Sequence, residues 1–260
     1  MALRSGRRFA LARRHMERVL GPDVDLDAAT REMFASYGRY WAEVFWFRPN
    51  RKPEIMANTE MVGLGPVFEA RDAKRGMIFA LPHVGNWEAA AVVAEAIETP
   101  VLAVAEDLAN KRITEWFIET RKGFGIEVAL ARSGVTKQLV SSLRKGGAVA
   151  LLSDRDVTGR GIEVDFFGER TQMPAGPAAL ADRTGAALFP VATYFDDGGY
   201  RIVVHEELEI PDLEERTDRV QATTQLLAQH HEAIIREAPT QWHLFQPNWP
   251  SDRSWLESVR

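Results

Sequence analysis

Apolar positions along the chain fall into two regimes. Over residues 3–47 they recur at helical spacing, and from Gly76 onward they gather into short continuous runs separated by helical stretches. Leu3 to Leu20 predicts a helix ended by Gly21-Pro22. Asp27 is the expected N-cap of a second helix reaching Phe47. Phe34, Tyr37, Trp41, Val44 and Phe45 share one face of it, and Tyr40, Trp46 and Phe47 widen that face into an aromatic belt. These rings either pack on the body of the protein or meet a bilayer or an apolar ligand. Pro49 and Pro53 close the segment.

The second regime alternates strand and helix. Strands are expected at Met77–Leu81, Val101–Ala105, Ile126–Ala129 and Ala148–Leu152, with helices at Glu88–Ile97, Lys111–Lys122 and Thr136–Lys145 between them. The strands are continuous apolar runs, as where both faces of a sheet are covered. Further on, Gly161–Phe167 reads as a strand and Pro177–Thr184 as a helix. Leu188–Phe195 and Tyr200–Leu208 read as a strand pair, and Val220–Glu237 as a long last helix. Repeated βαβ crossovers imply an α/β fold: one domain with a mostly parallel central sheet and helices on both faces. The expected division is a helical extension over 1–53 and the α/β domain over 54–260.

Composition narrows the function. Lys plus Arg is 32 against 37 Asp plus Glu, a net charge of −5, which argues against a nucleic-acid partner. The absence of cysteine removes disulfides, thiolate zinc sites and a cysteine nucleophile. No apolar run is long enough to span a bilayer, and the basic start lacks the apolar core of a secretory signal. The charge is uneven, however. The first eighteen residues hold six arginines and one glutamate, so the remainder is acidic. A basic, aromatic-backed start suits an anionic membrane surface.

The leading candidate for chemistry is Leu81-Pro82-His83-Val84-Gly85-Asn86-Trp87-Glu88. A histidine five positions before an acid arises by chance in a chain of this composition, so context must carry it. Here a buried strand runs into His83 and a helix is expected near Trp87. Residues five apart cannot share a helical face, so His83 belongs in the turn and Glu88 in the first helical turn. Gly85 permits a tight turn and Asn86 is a suitable N-cap. His83 would then stand at the carboxyl end of a sheet strand, where open α/β sheets bind ligands. A carboxylate partner would make it a general base. A turn histidine with Glu88 serving only the helix dipole is the other reading. No metal-ligand set accompanies His83: His230 and His231 diverge on a helix and His205 is alone. No Gly-x-Ser-x-Gly elbow is present either. Ser153-Asp154-Arg155-Asp156 follows another strand to the same rim, as a phosphate clamp or a structural ion cluster. Phe166-Phe167-Gly168 and Pro174-Ala175-Gly176-Pro177-Ala178 shape a loop into a small-residue helix.

Together these blocks resemble a known family. His83 to Glu88 resembles the histidine-x4-acid motif of the glycerolipid acyltransferase superfamily. The 153–156, 166–168 and 174–178 blocks, with Arg14–Leu20 and 235–242, resemble the bacterial lipid A lauroyl/myristoyl acyltransferase branch. Residues 242–249 are similar to its actinobacterial members, which acylate phosphatidylinositol mannosides. The family usually carries a further stretch before the basic helix, which here begins almost at Met1.

The resemblance implies a peripheral enzyme at the cytoplasmic face of the membrane. It would move an acyl chain from acyl-CoA (or acyl carrier protein) to a glycolipid hydroxyl without metal or bound cofactor. His83 is then the base and Glu88 its motif partner, with Glu163 as an alternative acid to orient it. Glu106 and Arg121 match polar positions lining the pocket, and Asn86, Asp154 and Arg155 are expected to meet substrate. A lysophospholipid or lipid A-type acceptor, a thioesterase, and a non-catalytic membrane-surface protein remain as alternatives.

Overall fold

The computed structural model describes residues 2–105 and 110–259, with side chains from Gly6 onward. In chain order the elements are α1 (Ala2–Leu20), α2 (Leu26–Trp46), α3 (Lys52–Ala57), β1 (Thr59–Val62), α4 (Gly65–Asp72) and β2 (Met77–Leu81). Then come α5 (Ala91–Ala96), β3 (Val101–Ala105), α6 (Lys111–Gly123), β4 (Ile126–Leu130), α7 (Val135–Arg144) and β5 (Ala148–Leu152). The chain closes with β6 (Ile162–Phe166), β7 (Glu169–Met173), α8 (Gly176–Thr184), β8 (Ala187–Asp196), β9 (Gly199–Val204), α9 (Arg216–Glu237) and α10 (Pro250–Ser258).

Among the described residues seven strands form one sheet, in the order β1-β9-β8-β2-β5-β3-β4. Every neighbouring pair is parallel except β8–β9. The expected α/β class with a mostly parallel sheet therefore holds. Its cause is visible in β2: all five residues are buried, because both faces are covered. Met77, Phe79 and Leu81 face a core shared with α2, α3 and α5. Ile78 and Ala80 face a second core with α7, α8 and Leu227 of α9.

A third core joins the N-terminal helices to the rest. Ala12, Met16, Leu26 and Met33 pack with Val164, Phe166, Trp242 and Trp249. The two N-terminal helices are thus bound into the body through apolar contact. Its second helix is capped by Asp25, whose side chain accepts from Ala28 N, and not by Asp27, which pairs with Arg13. Three other readings need adjustment. The helix after His83 becomes regular only at Ala91, because residues 86–93 close through i→i+3 bonds. β6 is one arm of a separate hairpin with β7. The helix ending at Glu237 is followed by α10. No helix among the described residues is long and apolar enough to cross a membrane.

Candidate active site

The register of two adjacent strands assembles the centre. β2 and β5 are parallel, with Leu81 opposite Leu152. His83 and Asp154 each stand two residues beyond those partners, at the carboxyl ends, and so come side by side across 71 residues of chain. His83 Nδ1 lies 2.5 Å from Asp154 Oδ1, and His83 N donates to Asp154 Oδ2 at 3.1 Å. The Trp242 indole donates to the same Oδ2 at 2.8 Å. With Nδ1 held by the carboxylate, proton exchange with a substrate falls to Nε2. The Asp154 side chain is fully buried, whereas that of His83 is 16% exposed to a groove.

Electrostatics favour this pair. Burial alone would raise the Asp154 carboxyl, but the His83 charge and the hydrogen bonds from His83 and Trp242 outweigh it. The group is held well below the usual carboxylate range. Two further histidines flank the centre and are kept neutral. Burial pushes His231 down to about 4 and His243 to about 3, and in both His83 adds to the shift. Ser153 Oγ lies 2.9 Å from His231 Nε2, and Ser36 Oγ 2.9 Å from His243 Nε2.

The turn that presents His83 is tightly fixed. Gly85 has φ +58°, and a Cβ there would lie 1.9 Å from the Thr193 carbonyl oxygen, so no side chain fits. Thr193 Oγ1 donates to Val84 O, Gly85 N to Gln241 O, and His243 N to His83 O. The Trp87 ring stands edge-on to His83, with centroids 5.1 Å apart.

Several expected site residues are placed differently. Glu88 does not meet His83. Its carboxylate is gripped by Arg121 of α6, Nε to Oε2 at 2.9 Å and Nη2 to Oε1 at 2.6 Å. Burial opposes the Arg121 charge, but Glu88 more than offsets it and raises that guanidinium further. Glu163 is also away from His83. The two-residue period of β6 turns Ile162, Val164 and Phe166 inward and Glu163 outward, where it pairs with Arg170. Asn86 is wholly buried. Its Oδ1 accepts from Glu88 N and its Nδ2 donates to Glu43, so both ends of its amide are engaged within the protein, where they shape the turn. Arg155 lines the groove. Glu106 lies outside the described residues. Asp154, read from the sequence as a substrate contact, is the carboxylate on His83.

Because Glu88 and Arg121 neutralise each other out of water, Glu88→Gln leaves a buried cation without its partner. That variant should lose about 3 kcal/mol of unfolding free energy. Urea denaturation reads the loss, and the added change Arg121→Met should recover part of it. Unchanged stability with lost activity would return Glu88 to the chemistry.

Two cavities meet at Trp87 and Arg121. The first is an apolar slot of about 780 Å³, counting its open mouth, between the sheet and α5. Ala90, Ala91 and Ala94 line one wall and Ala103 and Ala150 the other, so small side chains on facing surfaces create the space. Val101 and Ile126 lie at its far end, and Trp87, Glu88 and Arg121 near its mouth. The second is a wider groove of about 1990 Å³ including open solvent. It contains His83, Arg155 and Arg160 and is walled by Tyr37, Tyr40, Trp41, Phe117 and Phe245. Trp87, Arg121, Val104, Leu151 and Leu152 line both. His83 lines the groove, and Trp87 beside it lines both cavities, so an imidazole stands next to the passage between an apolar slot and a polar-aromatic groove.

Comparison with known proteins agrees with that geometry. A family model described as bacterial lipid A biosynthesis acyltransferase matches residues 1–251. The chain is 38% identical over 247 residues to the phosphatidylinositol mannoside acyltransferase of Mycolicibacterium smegmatis, covering 93% of this chain and 80% of that protein. It is 36% identical over 249 residues to the Mycobacterium tuberculosis protein of the same name, covering 93% and 77%. The lipid A biosynthesis acyltransferase of Haemophilus influenzae is 22% identical over 194 residues, covering 74% and 59%. With the family matched along almost its whole length, the chain belongs to the bacterial lipid A biosynthesis acyltransferases and is an acyltransferase.

Proposed function

We propose that this acyltransferase moves an acyl chain from acyl-CoA to a mannose hydroxyl of a phosphatidylinositol mannoside, with His83 as general base and no acyl-enzyme. The observation that carries the reading is the His83–Asp154 contact, which puts His83 in the groove beside Trp87, a residue that lines both groove and slot. The acceptor class is supported by the names of the 36–38% identical relatives.

In the proposed step the acceptor oxygen loses its proton to His83 Nε2 as it attacks the thioester carbonyl. The carbon–sulfur bond then breaks, and the departing thiolate takes the same proton from His83. The acyl chain lies in the alanine-lined slot. Arg155 and Arg160 supply positive charge for donor or acceptor phosphates. Neither metal nor bound cofactor takes part.

The enzyme works peripherally at the cytoplasmic face of the membrane. The basic helix is less suited to that contact than its charge count suggests. Arg14 and Arg18 turn inward to the buried Asp252, Arg13 pairs with Asp27, and Arg8 lies over Phe245. A better surface surrounds the groove, where Phe45 is 58% exposed, Ile113 43% and Val157 62%. Trp116 packs on Phe45 there.

The test is incubation of the purified chain with palmitoyl-CoA and, in parallel, phosphatidylinositol mannosides, a lysophospholipid or a lipid A precursor, followed by mass spectrometry. Acylated mannoside with release of free CoA is expected. Free fatty acid alone would make the protein a thioesterase, and acylation confined to lysophospholipid or a lipid A precursor would move the acceptor.

The slot also makes a specificity prediction. Ala150 lies in the middle of β5, opposite Phe79, halfway down the slot. Ala150→Leu places a branched side chain across the path of a long acyl chain. Its preference for long over short acyl-CoA should fall by about tenfold or more. A panel of donors of graded length measures this, and an unaltered preference would show that the chain runs elsewhere.

A further inference from the structure

We propose that Trp242 is a positioning residue for the base: its indole N–H fixes the Asp154 carboxylate in the orientation that offers one oxygen to His83. The inference rests on the reading of His83 as the general base.

The division of the carboxylate's two oxygens is the starting point. Oδ2 accepts from the Trp242 indole at 2.8 Å and from His83 N at 3.1 Å, while Oδ1 meets His83 Nδ1 at 2.5 Å. The last torsion of an aspartate is broad and two-fold, so rotamer preference does not set the plane of the group. Donors must do so. The indole is a rigid donor that cannot follow a rotating carboxylate, because its ring is fully buried. It is packed against Phe167 at 5.7 Å, His15 at 6.0 Å and Phe166 at 6.1 Å between centroids.

The backbone around Trp242 holds the other member of the pair. Trp242 forms an antiparallel bridge with Val84. Gln241 O accepts from Gly85 N at 2.8 Å, and His243 N donates to His83 O at 2.8 Å. One three-residue segment, remote in sequence from both strands, therefore grips the His83 turn through its main chain and Asp154 through a side chain. A buried indole needs only some acceptor. Here it uses the carboxylate that meets the base, and its position decides which oxygen is left for the imidazole.

The experiment compares the full chain with Trp242→Phe, which keeps an aromatic ring and deletes the N–H. Transfer from palmitoyl-CoA to phosphatidylinositol mannoside is followed at varied concentrations of each. The kcat is expected to fall about 10- to 100-fold, as for a small misplacement of a catalytic group, with both KM values within about twofold of wild type. In histidine-labelled protein the His83 nitrogen resonances, assigned from their loss in His83→Ala, should shift from a single Nδ1–H form toward a mixture. A folded Trp242→Phe with wild-type kcat, or with unmoved His83 resonances, overturns the proposal and leaves Trp242 a core residue.

Should Trp242→Phe not fold, the Trp242 indole resonance is read in Asp154→Asn. A clear upfield move is expected, and an unmoved resonance overturns the proposal. Wild-type turnover by His83→Ala would instead overturn the reading of His83 as base. The resonance measurements would still decide whether Trp242 orders the His83–Asp154 pair.

Discussion

His83→Ala lowers acyl transfer by about 10² to 10⁴ while the protein stays folded. Two features of the structure support both halves of that expectation. The imidazole lines the groove and stands nearly perpendicular to the Trp87 ring, but the turn itself is held by main-chain groups. His83 N still reaches Asp154, and His83 O still accepts from His243. Asp154 keeps two of its three donors in the variant, so the buried carboxylate is not stranded. Residual transfer would come from substrate alignment in the slot and groove, which the substitution leaves in place. Mass spectrometry of the acylated lipid measures the loss, and a thermal melt by circular dichroism checks the fold. Wild-type transfer by a folded variant would remove His83 from the mechanism.

The parts of this site that could be read from the sequence are those carried by local pattern. Met77–Leu81 is a five-residue apolar run, and the turn after it contains Pro82, Gly85 and Asn86, so a strand ending at His83 follows directly. The identity of the base's partner does not follow, because it depends on which strands are neighbours. Crossover order shows that β2 and β5 share a sheet, but not that β5 returns to lie between β2 and β3. The spacing of His83 and Glu88 draws attention along the chain, while the contact runs across it.

Glu163 illustrates the opposite case. Its outward position was available from the alternation of Ile162, Val164 and Phe166, and the period-2 rule outweighs its family match. The basic helix marks a different limit. Six arginines can be counted in a sequence, but Asp252, Asp27 and the aromatic rings that receive Arg8, Arg13, Arg14 and Arg18 lie in other elements. Trp242 was visible only as part of a resembling block. Its role in holding the carboxylate required the fold that brings residues 241–243 against the turn.

Asp154→Asn should cost about 10⁴ in kcat, more than deletion of a neutral hydrogen bond would, because the amide reverses the polarity of the imidazole. Two donors, the Trp242 indole and His83 N, converge on Oδ2. The amide oxygen of an asparagine must take that position, since its NH₂ would face both donors. The NH₂ then points at His83 Nδ1, which can meet it only as an acceptor. The imidazole proton is driven to Nε2, the nitrogen that must accept from the acceptor hydroxyl. The folded variant therefore holds the wrong tautomer, and steady-state transfer with histidine-detected NMR reads both effects.

The same substitution has a signature in stability. The carboxyl of Asp154 sits below its ordinary unfolded value near ~3.9, so its ionised form stabilises the fold above about pH 4. That contribution disappears as the pH falls below this value and the native carboxylate is forced to protonate. Asp154→Asn has no proton to bind there. Its urea midpoint should decline less steeply than that of wild type below about pH 4. Parallel declines, together with retained transfer, would mean that neither the charge nor the orientation of Asp154 serves the base.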